Sequence, residues 1–402
     1  MSAGLTPEGI DALGAVLTGH VARGRLPGLV ALVASGGDVH VSALGHKAFG
    51  DEEPIGRDAI FRIASMTKPI AGAAAMLLIE DGAMALGDPV GRWLPELAEP
   101  RVLRTLESGL DDTVPAQRPI TVEDVLSFHL GFGCIMSAGA YPIQQAESEL
   151  GLKTLGPPWP PPDLTPDEWL ARLGGLPLLD QPGTRWRYNT GATVAGVLIE
   201  RAAGAPLAEV LRERVFEPLG MTDTGFSVPA AKLGRFTTFY APGAGGELDV
   251  IDRPDGWWSA PPKLPDAAAS LVSTVDDLWA FAAMLASGGG GLLSAESVRL
   301  MMADRMTARE RAENRVFVGD HGGWGLMMTV PSAPGPGGAG SAAGQAGMPR
   351  GYGWDGGSGT TWRTDAAAGL TGILLTQRQM TSPEPTEIAK DFWTAAYAAV
   401  RS

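Results

Sequence analysis

Phe61-Arg62-Ile63-Ala64-Ser65-Met66-Thr67-Lys68-Pro69-Ile70 runs straight into the apolar stretch AGAAAMLLI at residues 71–79, and Gly82 offers a stop. Alanine, methionine and leucine are strong helix formers, and a glycine just past the last periodic residue ends helices. The pattern therefore predicts a helix opening near Ser65. Ser65 and Lys68 then stand one turn apart on one face. Ser65 falls in the first turn, where unpaired N–H groups and the helix dipole favour developing negative charge. A serine hydroxyl needs a base beside it to act as a nucleophile, and a desolvated, neutral lysine is such a base. The same spacing also fits a capped helix start with a solvated lysine. The rest of the chain has to decide between chemistry and capping.

With 402 residues, of which 45% are hydrophobic and 19% charged, the chain is long enough for one large domain or two interleaved regions. A net charge of -14 argues against nucleic acid or an anionic membrane as partner, because both are bound through clustered Lys and Arg. The single Cys134 excludes an internal disulfide and any multi-cysteine metal site, and the five histidines show no H-E-x-x-H spacing. Neither a metal nor any other cofactor is expected. The N-terminal residues lack a basic segment followed by an unbroken apolar core, and no apolar run reaches 18 residues, so the chain reads as cytoplasmic.

Taken in order, Ile10, Leu13, Val16, Leu17 and Val21 follow helical spacing after Thr6-Pro7-Glu8. LPGLVALVAS and DVHVSALG are strand-like and meet at Gly36-Gly37, a hairpin signal. Residues 120–129 form a further short helix, with His129 as a structural residue at its end. Prolines 157, 158, 160, 161 and 162 around Trp159 mark loop-rich cover, and a helix is expected over residues 165–173. After the turn Gln181-Pro182-Gly183-Thr184, Tyr188 stands just ahead of the helical ATVAGVLIERAAG. From there its hydroxyl can point into a cleft, or it can be a buried ring with a bonded tip. TTWRTD and GLTGILLTQRQ read as strands and residues 385–402 as a closing amphipathic helix. The Gly/Ala/Ser/Pro tract at residues 331–348 is too poor in bulky side chains to pack and is expected to be a mobile loop.

The order S-x-x-K, then Tyr188, then Pro218-Leu219-Gly220-Met221-Thr222-Asp223-Thr224-Gly225-Phe226, resembles the serine hydrolases of the class C β-lactamase superfamily. Residues 270–278, SLVSTVDDL, match a recurrent segment of that superfamily. β-Lactamases and penicillin-binding proteins carry Lys-Thr-Gly at a third motif, and no such tripeptide is present here. Gly351-Tyr352-Gly353-Trp354-Asp355-Gly356-Gly357-Ser358-Gly359-Thr360-Thr361-Trp362 is instead similar to the W-x-G motif of family VIII carboxylesterases. Without a lysine to hold a β-lactam carboxylate, neutral esters are the more natural substrates. The tyrosine motif departs from Y-x-N: Asn189 follows Tyr188 directly, and adjacent residues entering a helix point apart.

The resemblance implies an α/β (α+β) fold of the β-lactamase/penicillin-binding-protein kind. Residues 1–66 and 255–402 would form an antiparallel sheet flanked by helices, and residues 67–254 a mainly helical region. It implies Ser65, Lys68 and Tyr188 as catalytic residues and the backbone N–H groups of Ser65 and Gly357 as oxyanion hole, with Gly359 in its place under a register shift. Trp354, Gly356 and Asn189 would line the substrate site. The expected activity is hydrolysis of small or medium acyl esters through an acyl-enzyme on Ser65, with a small-molecule ester as partner. Acyl transfer to an alcohol or amine, β-lactamase or D-amino-acid peptidase activity, and a non-catalytic binding role on the same fold are the alternatives.

Overall fold

The computed structural model describes residues 4–152, 159–243, 245–332 and 349–401. Thr6 caps the first helix, α1 (Pro7–Ala22), by accepting from the Gly9 N–H. Strands β1 (Gly28–Ser35) and β2 (Asp38–Gly45) follow as a hairpin. Its turn residues Gly36 and Gly37 have φ of 60° and 95°, the two successive positive values that a tight two-residue turn demands. Pairing runs in register from Ser35 opposite Asp38 to Gly28 opposite Gly45.

The chain then crosses to α2 (Thr67–Glu80), whose residues from Thr67 to Leu78 are all buried. That explains its composition: a helix enclosed on all sides is apolar all round rather than along one stripe. Four of the later helices carry the site and its supports: α3 (Val122–Leu126), α4 (Thr190–Ala203), α5 (Val275–Ala286) and α6 (Ala308–Glu313). The helix expected over residues 165–173 forms at Pro166–Gly174 behind a Thr165 capping box.

The chain returns to the sheet late. Strands β3 (Gly322–Trp324), β4 (Thr329–Pro331), β5 (Tyr352–Gly356), β6 (Thr360–Asp365) and β7 (Leu370–Thr376) precede the final helix α7 (Glu387–Ala399). Among the described residues the sheet has seven strands in the order β2-β1-β7-β6-β5-β4-β3, every pair antiparallel. Since β1 and β7 are central and covered on both faces, all their residues are buried, and they read as continuous apolar runs. Leu29, Ala31, Val33 and Leu374 face α1 and α7, meeting Leu13, Leu17, Phe392 and Trp393. Val30, Leu32, Ile373 and Leu375 face the other way, into the larger core around α2. The mixed helix and antiparallel-sheet architecture is the one the resemblance implied.

Strands β3 and β4 were not among the sequence expectations. Pro157, Pro158 and residues 333–348, most of the tract expected to be mobile, lie outside the described residues. No helix among the described residues is long and apolar enough to cross a membrane, and no group of three or more His, Cys, Asp or Glu among them could hold a metal ion.

Candidate active site

Ser65 sits in a short 3-10 turn, Ala64–Met66, that leads into α2. Ala64 holds a φ of 44°, in the left-handed region that a side chain makes unfavourable. The surroundings enforce it: the Ala64 carbonyl accepts the Thr67 hydroxyl at 2.7 Å, and Thr67 Oγ1 in turn accepts from the Leu271 N–H at 3.1 Å. Such backbone strain, fixed by its neighbours, is a recurring feature of functional turns.

Around the Ser65 hydroxyl three side chains converge. Lys68 Nζ lies 2.9 Å from Ser65 Oγ, and the Tyr188 hydroxyl donates to that oxygen at 3.0 Å. Lys68 Nζ also donates to the Ala268 carbonyl at 2.7 Å and stands 4.7 Å from the centre of the Tyr188 ring. Trp354, on β5, donates its indole N–H to the Tyr188 oxygen at 2.8 Å. The capped helix with a solvated lysine is thereby excluded, because Lys68 is wholly buried. Burial pushes its ammonium down from 10.5 to about 7, which the pull of Asp266 opposes without reversing. Tyr188, half-buried in the cavity wall, is pushed the opposite way by loss of solvent around its hydroxyl, to a higher pKa than a free phenol.

Tyr188 is held from behind by a polar network. Glu310, at the capping box of α6, accepts the Trp186 N–H at 2.9 Å, and His129 Nε2 lies 3.2 Å from the same Glu310 oxygen. His129 Nδ1 lies 3.0 Å from Ser127 Oγ. Burial pushes the Glu310 carboxyl up, but its bonds to His129 and Thr307 outweigh that and hold it at about 2. Phe128, with a φ of 67°, packs against Trp186, Tyr188 and Trp324.

The other predicted residues divide. Trp354, Gly357 and Asn189 line a cavity of about 570 Å³ together with Ser65 and Tyr188. Asn189 lies beside Tyr188 on that wall although adjacent residues entering a helix ordinarily point apart. Its φ of 86° departs from helical geometry at the entrance to α4, so both neighbours reach the same space. Gly356 is absent from the cavity wall. A side chain there would meet the Ile63 carbonyl at 2.2 Å, so this glycine lets β5 press against the backbone just before Ser65. Gly359, the alternative to Gly357, spends its N–H on the Gly356 carbonyl at 2.9 Å, inside the turn between β5 and β6. That turn is pinned to the nucleophile segment by Ser358 Oγ on the Arg62 carbonyl at 2.5 Å and Thr360 Oγ1 on the Ile63 carbonyl at 3.2 Å.

The cavity is mainly apolar, with Met136, Trp159, Trp169, Leu264 and Phe317 in its walls. Its carboxylates are Asp266 and Asp355, and Asp355 is taken up by Arg363 through bonds of 3.1 and 2.8 Å. Sequence reasoning missed Asp266 and Glu310. Asp266 has no motif around it, and the T-x-x-E of Thr307 and Glu310 signals only a helix cap, so nothing local tied either to the site. It placed Trp354 at the substrate site without foreseeing the bond to Tyr188.

Residues 13–392 match the beta-lactamase family. Protein Rv1367c of Mycobacterium tuberculosis is 38% identical, over 84% of this chain and 82% of its own. Esterase EstB of Burkholderia gladioli is 31% identical, over 90% of this chain and 89% of its own. Among solved structures, EstCE1, described as a hydrolase with promiscuous acyltransferase activity, superposes with a TM-score of 0.78 at 25% identity, covering 97% of this chain and 98% of that one. With residues 13–392 matched by the family and relatives of 38% and 31% identity covering more than four fifths of it, the chain belongs to the beta-lactamase family.

Proposed function

We propose that this protein is a serine hydrolase of the family VIII carboxylesterase kind, cleaving carboxylic esters of small or medium acyl chains through an acyl-enzyme on Ser65. The observation that carries the reading is the contact of Ser65 Oγ with both Lys68 Nζ and Tyr188 Oη, at 2.9 and 3.0 Å, on the wall of an apolar cavity. Near neutral pH much of Lys68 is the free amine, whose lone pair takes the Ser65 proton as Oγ attacks the ester carbonyl. As the tetrahedral intermediate collapses, Tyr188 gives its hydroxyl proton to the leaving oxygen and is reprotonated from the Lys68 ammonium, so the proton taken from Ser65 ends on the alcohol. The backbone N–H groups of Ser65 and Gly357 hold the oxyanion. Alcohol departs, and water attacks the acyl-enzyme by the same proton path in reverse.

Trp354 stands where the related β-lactamases have a lysine motif, and it offers the Tyr188 oxygen a neutral donor. Asp355 is neutralised by Arg363, and among the described residues no Lys or Arg lines the cavity to meet a substrate carboxylate. This favours neutral esters over β-lactams. The activities named for EstB and EstCE1 support the same direction. Acyl transfer to an alcohol is the second reading, favoured by the apolar walls, which suit an organic acceptor at the position of the hydrolytic water.

The test is a panel of p-nitrophenyl esters of graded chain length, with and without an alcohol acceptor and alongside a chromogenic cephalosporin. Ester turnover, with a fluorophosphonate adduct on Ser65 and neither activity nor adduct in Ser65→Ala, is the expected result. An adduct on a different serine, or cephalosporin turnover exceeding ester turnover, overturns the reading.

A further inference from the structure

Gln379 stands in the wall of the catalytic cavity, just beyond β7, where the chain turns toward α7. Its side-chain oxygen accepts the indole N–H of Trp159 at 3.3 Å. An indole N–H can only donate, so this contact settles which end of the amide is which: Oε1 faces Trp159. The two hydrogens on Nε2 have no hydrogen-bond partner among the described residues. The donor end of a half-buried amide in the cavity wall is thus left for whatever occupies the cavity.

Both members of the pair are held in place. The Gln379 N–H donates to the Tyr240 carbonyl at 2.8 Å, and the next N–H, that of Met380, donates to the Gly357 carbonyl at 2.8 Å. Gln379 therefore adjoins the residue that clamps the turn carrying the proposed oxyanion donor. The Trp159 ring lies edge-on to Phe239 at 4.8 Å between centroids, and Phe239 and Tyr240 are neighbours on the short strand Phe239–Pro242. One strand thus sets the position of the tryptophan and of the glutamine. An amide oriented before a substrate arrives loses little freedom on binding it.

The rest of the wall defines what that donor can read. Met136, Trp169, Leu264 and Phe317 supply apolar surface. No Lys or Arg among the described residues lines the cavity, so an anionic group finds nothing there to pair with. The Asp355 carboxylate is engaged by Arg363, and Asp266 accepts from the Ala268 N–H and hydrogen-bonds Thr193. In an apolar pocket the few fixed polar groups set orientation and specificity, and a neutral N–H is complemented by a neutral oxygen.

We propose that Gln379, oriented by Trp159, is a specificity-determining residue of the cavity and selects esters bearing a neutral oxygen acceptor on an otherwise apolar acyl or alcohol group. The proposal rests on ester hydrolysis at Ser65 and adds the substrate class: alkoxy, keto or hydroxy esters in preference to plain alkyl esters. Gln379 takes no part in the chemical step. It binds the oxygen through Nε2 while Trp159 keeps the amide from turning over.

The experiment compares kcat/KM for matched esters in which one methylene is replaced by an ether oxygen, at each successive position. One set carries the oxygen on the acyl side of p-nitrophenyl esters, the other on the alcohol side of butanoate esters followed by acid release. The ratio of oxygen-bearing to all-carbon ester is taken for wild type, Gln379→Met and Gln379→Glu at about pH 8, where a glutamate is ionised. Comparing ratios between proteins cancels the intrinsic reactivity of each ester. Methionine keeps the length and removes the amide; glutamate keeps an oxygen for Trp159 and removes the donor. The wild-type ratio is expected to exceed that of Gln379→Met by about 3- to 10-fold at one oxygen position, through KM more than kcat, and Gln379→Glu to lose at least as much. A role confined to holding Trp159 survives in Gln379→Glu, so a wild-type ratio in that variant overturns the proposal. Ratios that agree between wild type and Gln379→Met at every position of both sets overturn it too. Should Gln379→Met fail to accumulate as folded protein, Gln379→Glu alone is read against wild type. Wild-type protein that takes no fluorophosphonate on Ser65 and turns over no ester sinks the proposed function and this inference with it, whereas a labelled, active wild type with unmoved ratios in the variants sinks this inference alone.

Discussion

The indole N–H of Trp354 donates at 2.8 Å to the same Tyr188 oxygen that donates to Ser65 Oγ at 3.0 Å, so a residue of the central sheet is wired through one phenol to the nucleophile. Trp354→Phe keeps an aromatic ring against Tyr188 and Trp324 and removes only the donor. If charge builds on the Tyr188 oxygen during proton relay, that donor is worth about 1.5–3 kcal/mol, the range for hydrogen bonds to charged groups. The expected outcome is a roughly 10- to 100-fold fall in kcat with folding intact. Steady-state kinetics on a short-chain ester, checked by circular dichroism, measure it; an unchanged kcat would reduce Trp354 to a packing residue.

Lys68 predicts a conflict between activity and stability. A lysine that burial holds at about 7, against 10.5 when free, weakens the fold wherever the unfolded chain binds the proton more readily. The sign is definite. Below about pH 7 both states are protonated and the whole penalty of burying the cation is present; from there toward 10.5 the unfolded chain still holds a proton that the folded one has released, so stability rises with pH. Lys68→Met fills similar volume without charge and is expected to be inactive yet more stable than wild type by about 1–4 kcal/mol at neutral pH. Denaturant unfolding at several pH values reads both effects, and the advantage of the variant shrinks toward alkaline pH.

Much of the frame could be read before the structure. The paired positive-φ glycines at residues 36 and 37, the apolar runs of β1 and β7, and the enclosed helix α2 all carry local signals strong enough to act alone. Strands β3 and β4 could not be read this way. Each is three residues long and holds glycine or proline, too short for alternation to register. The site divides similarly. Ser65 and Lys68 are neighbours in sequence, so their proximity follows from helix geometry alone. The bond from Trp354 to Tyr188 and that from Lys68 to the Ala268 carbonyl span long stretches of chain and exist only once the sheet and helices are assembled. How Asn189 and Tyr188 share one wall was not legible, because helical periodicity does not apply one residue before the helix begins, at a position whose φ of 86° is not helical.

The lysine also sets the working range. If Lys68 is the base, kcat/KM rises with pH through about 7, since the amine must be neutral to accept the proton. If Tyr188 were the base instead, the rise would come far higher, because burial pushes that phenol above its ordinary value of 10. The profile, taken with and without EDTA, separates the two. A limb near neutrality that the chelator leaves unchanged is the expected result, and activity lost to EDTA and restored by zinc would contradict it.

Tyr188 itself separates a catalytic from a structural role most sharply. The hydroxyl makes two hydrogen bonds, to Ser65 and from Trp354, and the ring stacks on Phe317 at 4.6 Å between centroids. Tyr188→Phe leaves the ring contacts in place. Were the hydroxyl only a buried polar tip, its loss would cost stability of about 1 kcal/mol and leave the chemical step alone. As the group that relays the Ser65 proton, its loss should cut kcat by roughly 10² to 10⁴ with little change in KM, the range for removing a general acid or base. Asn189→Ala is the paired control. Asn189 shares the cavity wall with Tyr188, so this variant should alter KM among esters of different chain length more than it alters kcat. Both are measured on the same ester series. A near-normal kcat in Tyr188→Phe, or a larger loss of kcat in Asn189→Ala, would show that the proton passes through the amide side of the cavity and not through the phenol.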